Sequence, residues 1–446
     1  MSEEPTSRPS LLRAVTRWEI VGLSINDVIG SGVYLLPAAA AALLGSASTL
    51  AVILAGAAVG LLVLCFAAAA SYFDEPGGGY LYTREAFGRF VGFEVGWMTW
   101  LARIASVASL SNALALATTF LWPAAAAGLP RVLLITFSLA LLAGINVVGV
   151  KAGTRTAVVL VIAKTVPLIL FVVMGLFFVD WSRVVDVELP RSGALGEAAL
   201  LLLFAYAGFE NTPAAAGEYR NPRRDVPVAM LVAMLFITAI YSLVQIVAVG
   251  TLPGLAAAES PLAEAALLFA GSGLALVMTV GAIISIFGNI SNTTLVGPRY
   301  LFALANDGYG PPFLARIHPR YHTPAAAIVT QTALSLLLAL SGSFTQLAML
   351  SIIARLATYM GTAAAVPVLR RRFAERPDAF RLPGGPLIPI LALILSLIFL
   401  ASTTRDNLLA GGIALVIGAV IYRFRGEPPD VARDDRDRGL TSSNQH

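Results

Sequence analysis

The sequence has few charged residues and few of the residues that build disulfides or metal sites. Only 13% of its 446 residues are charged, it has a single cysteine, Cys65, and its three histidines are His318, His322 and His446. A lone cysteine cannot form an intrachain disulfide, and this inventory does not supply a metal cluster. The net charge of +4 is small for the length, which argues against a nucleic-acid-binding surface.

Apolar residues dominate the composition instead. They make up 57% of the chain, and the mean hydropathy is +0.80. This composition excludes a soluble enzyme and matches about twelve membrane helices of roughly 20 residues each. Runs of apolar residues predict spans at 19–43, 48–72, 90–120, 131–149, 156–179, 194–217, 227–250, 271–304, 325–341, 346–369, 386–402 and 407–424. We therefore expect an all-α protein embedded in a lipid bilayer.

The positive charges predict the orientation of these spans. With twelve spans, 23 lysines and arginines lie on the side of the two termini and 4 on the opposite side. Since Lys and Arg accumulate in cytoplasmic loops, both termini are expected in the cytoplasm of a multi-pass protein of the cytoplasmic membrane. Residues 1–18 lack a cleavable signal, and 426–446 have the composition of a disordered segment, so both are predicted to be cytoplasmic tails around a membrane domain at 19–425.

Two spans are interrupted by residues that weaken a helix. Asn26–Tyr34 in span 1 contains two glycines and a serine, and Phe204–Pro213 in span 6 contains Gly, Glu, Asn and Pro. Both helices can open there, and open backbone inside a membrane is tolerated only around an enclosed cavity. Paired breaks predict two inverted five-helix repeats, about 19–179 and 194–369, with a binding site between them and two further helices at about 386–424. The alternative is that the small residues only pack helices closely.

Four segments carry a resemblance to the amino acid–polyamine–organocation transporter superfamily. They are Ile29–Pro37 in span 1, Pro76–Tyr82 after span 2, Gly208–Pro227 in and after span 6, and Asp307–Pro312 at the end of span 8. The resemblance covers nearly the whole chain. It implies a LeuT-type fold, with twelve transmembrane helices, a 5+5 inverted repeat with discontinuous helices 1 and 6, and two extra helices. It also implies secondary transport of amino acids by alternating access.

The break in span 1 has the chemistry to bind the carboxylate of an amino acid. A helix that restarts at Gly30–Gly32 offers free backbone amides and the positive end of its dipole, so Ser31 and Gly32 are candidate carboxylate ligands. The resemblance implies that unwound carbonyls of both spans accept the ammonium, and that Phe204 is an aromatic gate, with ordinary core packing as the alternative. The predicted substrate-binding residues are Val28, Ile29, Gly30, Ser31, Gly32, Phe204, Ala205, Ala207 and Gly208.

Three charged residues inside the spans are candidates for proton coupling. Lys164 lies in the middle of span 5, in a chain with only two lysines against 28 arginines. A buried ammonium needs oxygen partners and, unlike a guanidinium, can release its proton. The resemblance implies that Lys164 replaces the cation that ties helices 1 and 8 together in sodium-coupled relatives. The alternative is that Lys164 snorkels or simply pairs with a buried acid. Glu210 and Asp27 are the second and third candidates.

Other polar residues inside the spans bear on the substrate. Asp27 would favour a cationic substrate side chain, whereas Arg103 would oppose one unless a neighbouring acid neutralises it. Asn289 and Asn292 share one face of span 8, where they can line the cavity or donate hydrogen bonds between helices. The sequence does not predict which amino acid is bound, and no pattern predicts an oligomeric state.

The predicted function is therefore secondary amino acid transport, with proton-coupled uptake favoured. Amino acid exchange without net proton coupling remains open, as does, less favourably, a transport-dead sensor with the same fold. No catalytic constellation and no Walker-type phosphate loop is present, so neither an enzyme nor an ATP-driven pump is expected. The expected partners are an amino acid, protons and lipid, with no cofactor, metal or nucleic acid.

Overall fold

A computed structural model describes residue 13 and residues 15–149, 154–185, 194–376 and 379–424. Within these residues the chain is helical apart from its connections, and one isolated β-bridge joins Val15 to Tyr219. The predicted C-terminal tail at 426–446 and most of the N-terminal tail at 1–18 lie outside the described residues. The all-α expectation is confirmed.

The α-helices of the described residues are numbered here in chain order. They are α1 (Arg17–Val28), α2 (Ser31–Leu44), α3 (Ser48–Ala70), α4 (Gly78–Phe87), α5 (Arg89–Thr118), α6 (Gly128–Val148), α7 (Thr154–Gly175), α8 (Trp181–Val185), α9 (Ala194–Tyr206), α10 (Pro222–Thr251), α11 (Pro261–Asn306), α12 (Ala325–Ser341), α13 (Phe344–Arg372), α14 (Leu387–Ala401) and α15 (Arg405–Arg423). A 3₁₀ segment, Phe209–Glu218, follows α9.

Span 1 is divided into α1 and α2, as predicted. Helix α1 ends at Val28, Ile29 is extended with φ −68° and ψ 106°, and Gly30 has φ −141° and ψ −135°. The helix restarts at Ser31. Two residues of non-helical backbone thus interrupt the span within the protein interior, where their polar groups need partners.

Span 6 is divided at Gly208, and here only glycine fits. Its φ of 127° lies in a region that other residues rarely adopt, and a Cβ added to it would lie 2.5 Å from the carbonyl oxygen of Asp27. The position therefore combines a left-handed backbone with a close approach of the two broken spans. The discontinuity predicted for span 6 is confirmed.

The remaining helices include most of the lengths that the other predicted spans require. In the described part of the chain, eight helical segments are long and apolar enough to cross a membrane, and α12 and α14 are shorter apolar helices. One of the eight, Ser31–Ala70, holds both the second half of span 1 and nearly all of span 2. Span 8, predicted at 271–304, belongs to the longer helix α11, which bends at Gly271 where φ is 75°.

Polar side chains connect the inner helices, and apolar side chains cover the outside. Helix α5 packs against α11 and α13, and the hydroxyl groups of Ser106 on α5 and Ser351 on α13 are hydrogen-bonded at 2.7 Å. Leu235 and Phe177, in contrast, are 76% and 85% exposed. An apolar exterior around a polar interior is the distribution expected of a membrane protein.

Candidate functional site

One cavity touches both helix breaks. It holds about 450 Å³ of space between protein atoms, including open solvent. Its lining comes from both broken spans and from α5, α11 and α13: Asp27, Val28, Gly30, Ser31, Gly32, Arg103, Ser106, Leu110, Phe204, Ala205, Ala207, Gly208, Asn211, Asn289, Asn292, Thr293 and Arg355. The interrupted backbone therefore borders a cavity inside the protein.

Most of the residues predicted to bind substrate lie around this cavity. Eight of the nine line it: Val28, Gly30, Ser31, Gly32, Phe204, Ala205, Ala207 and Gly208. Ile29 is placed differently, because its carbonyl oxygen accepts hydrogen bonds from Lys164 Nζ at 3.1 Å and from Ser285 Oγ at 3.3 Å. Both lone pairs of that oxygen are thus engaged by protein donors.

The N-terminus of α2 presents free donors to the cavity. No side chain in the described part of the chain caps this helix, and the first amides of a helix have no acceptor within it. The buried hydroxyl of Ser31 has no hydrogen-bond partner among the described residues. These donors and the helix dipole suit an anion. Gly32 has a packing role as well, since an added Cβ would lie 2.6 Å from the Cα of Ala205.

Carbonyl oxygens of both breaks converge on one tyrosine. The hydroxyl of Tyr241 on α10 approaches the carbonyl oxygens of Val28 and Ala205 at 3.2 and 3.1 Å. Each carbonyl has two lone pairs, so both oxygens can accept a further hydrogen bond from a bound cation. The ring of Phe204 packs edge-on against Phe344 at 6.0 Å between centroids; its role as a gate stays a prediction.

Lys164 joins the break of span 1 to α11. Its side chain is fully buried, and Nζ donates to the carbonyl oxygens of Asn26 at 3.0 Å and Ile29 at 3.1 Å, and to Asn289 Oδ1 at 2.7 Å. Three acceptors match the three hydrogens of an ammonium group. Among the described residues, no carboxylate oxygen lies within 4.0 Å of Nζ, so the cation is held by neutral oxygens.

Glu210 lies behind the lining and contacts two guanidinium groups. Its Oε2 accepts hydrogen bonds from the Gly208 amide at 2.9 Å and from the Tyr359 hydroxyl at 3.3 Å. Its Oε1 forms an ion pair with Arg355 and lies 4.0 Å from Arg103 Nη2. The carboxylate thus stabilises the turn at the span 6 break while it neutralises buried arginines.

The two arginines have different partners around the cavity. Arg355 donates from Nη2 to Ser106 Oγ at 2.8 Å and from Nε to Ser351 Oγ at 3.3 Å, in addition to its ion pair. Arg103 donates to the Asn211 side-chain oxygen, and its guanidinium carbon lies 5.9 Å from the ring centroid of Tyr300. The Nε of Arg103 is buried without a hydrogen-bond partner within the described residues.

Asn292 lines the cavity and also donates a hydrogen bond between helices, whereas Asn289 lines the cavity and accepts one. Both line the cavity, and each bonds to another span: Asn289 to Lys164, and Asn292 Nδ2 to Asp27 Oδ1 at 2.6 Å. Within the described residues, Lys164 and Arg103 are the cations close enough to Asp27 to interact with its charge.

Sequence reasoning missed Tyr241, Asn211 and Ser106. The position of Asn211 beside Glu210 in the broken span was an available signal, since a polar residue at such a break tends to face the cavity. Tyr241 lies in an uninterrupted helix that starts at Pro222, where no local pattern distinguishes it from a packing residue. Only its distance to the two carbonyl oxygens reveals the contact.

Comparison with known proteins places the chain among transporters. Residues 15–410 match the family described as amino acid permease. The serine/threonine exchanger SteT of Bacillus subtilis (strain 168) is 31% identical over 407 residues, covering 89% of this chain and 92% of the relative. The branched-chain amino acid permease BcaP of the same organism is 27% identical over 435 residues, covering 93% of each chain. The methylthioribose transporter of Bacillus subtilis (strain 168) is 28% identical over 432 residues, with 93% of each chain covered.

Proposed function

The chain belongs to the amino acid permease family, and from this premise we propose that it moves amino acids across the cytoplasmic membrane by secondary active transport. The predicted repeats, 19–179 and 194–369, would rock about the cavity to expose it to each side in turn. Both termini would lie in the cytoplasm, as the distribution of positive charge indicates.

The observation that carries this proposal is the placement of donors and acceptors around one cavity. Free amides at the start of α2 and the unpaired hydroxyl of Ser31 suit a carboxylate. The carbonyl oxygens of Val28 and Ala205 have a lone pair left for an ammonium group. An α-amino acid has both groups on adjacent carbon atoms, so it matches a site with this pair of surfaces.

We further propose that uptake is coupled to protons through Lys164. The protonated amine has a hydrogen for each of its three oxygen acceptors, whereas the neutral amine has only two. Release of the proton would therefore leave one acceptor unbonded and loosen the link between the span 1 break and α11. Glu210, already held by Arg355 and Tyr359, is assigned to neutralise the arginines.

Exchange of one amino acid for another is the second candidate. The similarity to a serine/threonine exchanger favours it. In that mode Lys164 would remain charged throughout the cycle and would act as a fixed brace for the span 1 break.

Reconstituted liposomes distinguish the two modes. Proton coupling predicts that a labelled amino acid accumulates in empty liposomes under an inward proton gradient and that a protonophore abolishes this accumulation. Exchange predicts uptake only into liposomes preloaded with unlabelled substrate. Failure of every amino acid in a broad panel under both conditions would reject amino acid transport.

A pair of variants tests the role of Lys164. Lys164→Gln keeps a hydrogen-bond donor but has no ammonium to titrate, so we expect it to lose accumulation driven by the proton gradient. Ser285→Ala is the matched control, because it removes a neutral donor to the same Ile29 carbonyl and keeps the lysine. Unchanged gradient-driven accumulation in Lys164→Gln would contradict the coupling role.

A further inference from the structure

We propose that the substrate carries an anionic side chain and that Arg103 selects it. This inference rests on the proposed function, because it specifies which amino acids the cavity accepts. It starts from the charges in and behind the cavity wall. Asp27, Arg103 and Arg355 line the cavity, while Glu210 and Lys164 lie directly behind it. By formal charge there are three cations and two anions, so the empty site has one positive charge in excess.

The pairing pattern distinguishes the two arginines that line the cavity. Glu210 is the one acid within ion-pair distance of either arginine in the described chain, and its oxygen is much closer to Arg355 than to Arg103, which lies 4.0 Å away. Arg355 also donates to two serine hydroxyls, whereas Arg103 donates to one neutral amide oxygen, that of Asn211. Arg103 is thus the less compensated of the two arginines that line the cavity.

Arg103 also has the geometry to bind a carboxylate. Its side chain is only 2% exposed, yet it reaches the cavity, and its Nε has no hydrogen-bond partner in the described chain. A guanidinium presents several N–H groups in one plane, which match the two oxygens of a carboxylate, and a buried pair of this kind is strengthened by the low local dielectric. An unpaired donor on a buried cation is the feature expected where the ligand completes the hydrogen bonds.

Asp27 does not reverse this preference. Its carboxylate accepts a 2.6 Å hydrogen bond from Asn292, and its charge already interacts with Lys164 and Arg103. A cationic substrate side chain would raise the excess positive charge of the site from one to two. A neutral amino acid would leave it unchanged, and an amino acid with a second carboxylate would cancel it. Because an uncompensated buried charge is costly, the site favours a dicarboxylic amino acid.

The test compares acids with their amides, which have nearly the same shape and differ in charge. Purified wild-type protein is titrated with glutamate against glutamine and with aspartate against asparagine, with lysine as the cationic comparison. We expect each acid to bind at least about tenfold more tightly than its amide, as a charge-assisted bidentate contact implies, and lysine to bind most weakly.

Variants assign the selectivity to Arg103. In Arg103→Gln the preference for the acid should disappear. The matched control is Arg131→Gln, which removes a guanidinium that bonds to Asn112 and to the Gly342 carbonyl outside the cavity lining. This control should keep the wild-type ratio of acid to amide affinity. Arg103→Lys keeps the charge without the planar fork, so it should retain only part of the preference.

The outcomes separate this inference from the proposed function. If wild type binds and transports amino acids but shows no preference for acids, or prefers lysine, the anionic substrate is rejected and amino acid transport stands. Loss of the preference in Arg131→Gln as well would reject the assignment to Arg103. If Arg103→Gln does not fold, the test uses the ratio of acid to amide affinity in wild type and in Arg103→Lys. An unchanged ratio in Arg103→Lys would contradict bidentate recognition. Failure to bind or transport any amino acid overturns both proposals.

Discussion

Neutralising Glu210 should strongly destabilise the protein. Its carboxylate bonds to the Gly208 amide and the Tyr359 hydroxyl and forms an ion pair with Arg355, with Arg103 at 4.0 Å. The substitution Glu210→Gln preserves the size of the side chain and one carbonyl oxygen but removes the charge. Two guanidinium groups, both less than a tenth exposed, would then have no acid within ion-pair distance among the described residues.

The expected loss of stability in Glu210→Gln follows from the cost of a buried charge that loses its partner. Removing one member of a buried ion pair typically costs about 3–5 kcal/mol. The oxygen that remains in Gln can still accept the Gly208 amide, so we expect the lower end, about 3 kcal/mol. Such a loss raises the unfolded population more than roughly 100-fold, since each 1.4 kcal/mol is about a factor of ten.

Glu94 provides a matched control in the same protein. Both of its carboxylate oxygens are buried without a hydrogen-bond partner within the described chain, and they face Gly418 on α15, where an added Cβ would lie 2.6 Å from Oε2. No described cation loses an ion pair when its charge is removed. We therefore expect Glu94→Gln to change stability by less than about 0.5 kcal/mol, or to stabilise the protein.

The free energy of unfolding of both variants is measured on purified protein in mixed micelles, with tryptophan fluorescence as the readout. A double-mutant cycle with Arg355→Gln completes the test, and we expect a coupling energy of at least about 2 kcal/mol, because the second substitution removes the stranded cation. Equal losses of stability in Glu210→Gln and Glu94→Gln, or a coupling energy near zero, would refute the charge argument.

Three further predictions concern substrate binding and the contacts of the broken spans. Ser31→Ala should weaken substrate binding by roughly fivefold, the value of one neutral hydrogen bond, and titration calorimetry with a transported amino acid measures it. Tyr241→Phe should lower the stability of the substrate-free protein by about 1 kcal/mol, and saturating substrate should restore part of that loss if its ammonium bonds to the same carbonyls. Arg17 contacts Asp225 at 2.7 Å. Arg17→Gln should therefore loosen α1 and raise the thiol labelling rate of a cysteine substituted for Ser24 in a Cys65→Ala background. An unchanged rate would show that this ion pair does not hold α1 in place.

Much of the fold follows from local features of the sequence. Apolar runs predict where helices cross the membrane, because a lipid-facing helix needs an uninterrupted apolar surface. The breaks in spans 1 and 6 were also predictable, because Gly30 and Gly208 allow non-helical backbone and lie inside the two interrupted segments. Their pairing across the two halves of the chain then predicted a cavity, and eight of the nine residues named for it line one.

The charge partners depended on tertiary structure. Lys164 is separated from Asn289 by 125 positions, and Glu210 from Tyr359 by 149. Helical periodicity tells which side chains share a face, but it does not tell which other helix that face meets or at what height. Arg103 and Arg355 were recognisable as buried charges from the sequence alone. Their shared carboxylate, and the Arg103 Nε that has no hydrogen-bond partner in the described chain, were decided only when three spans packed together.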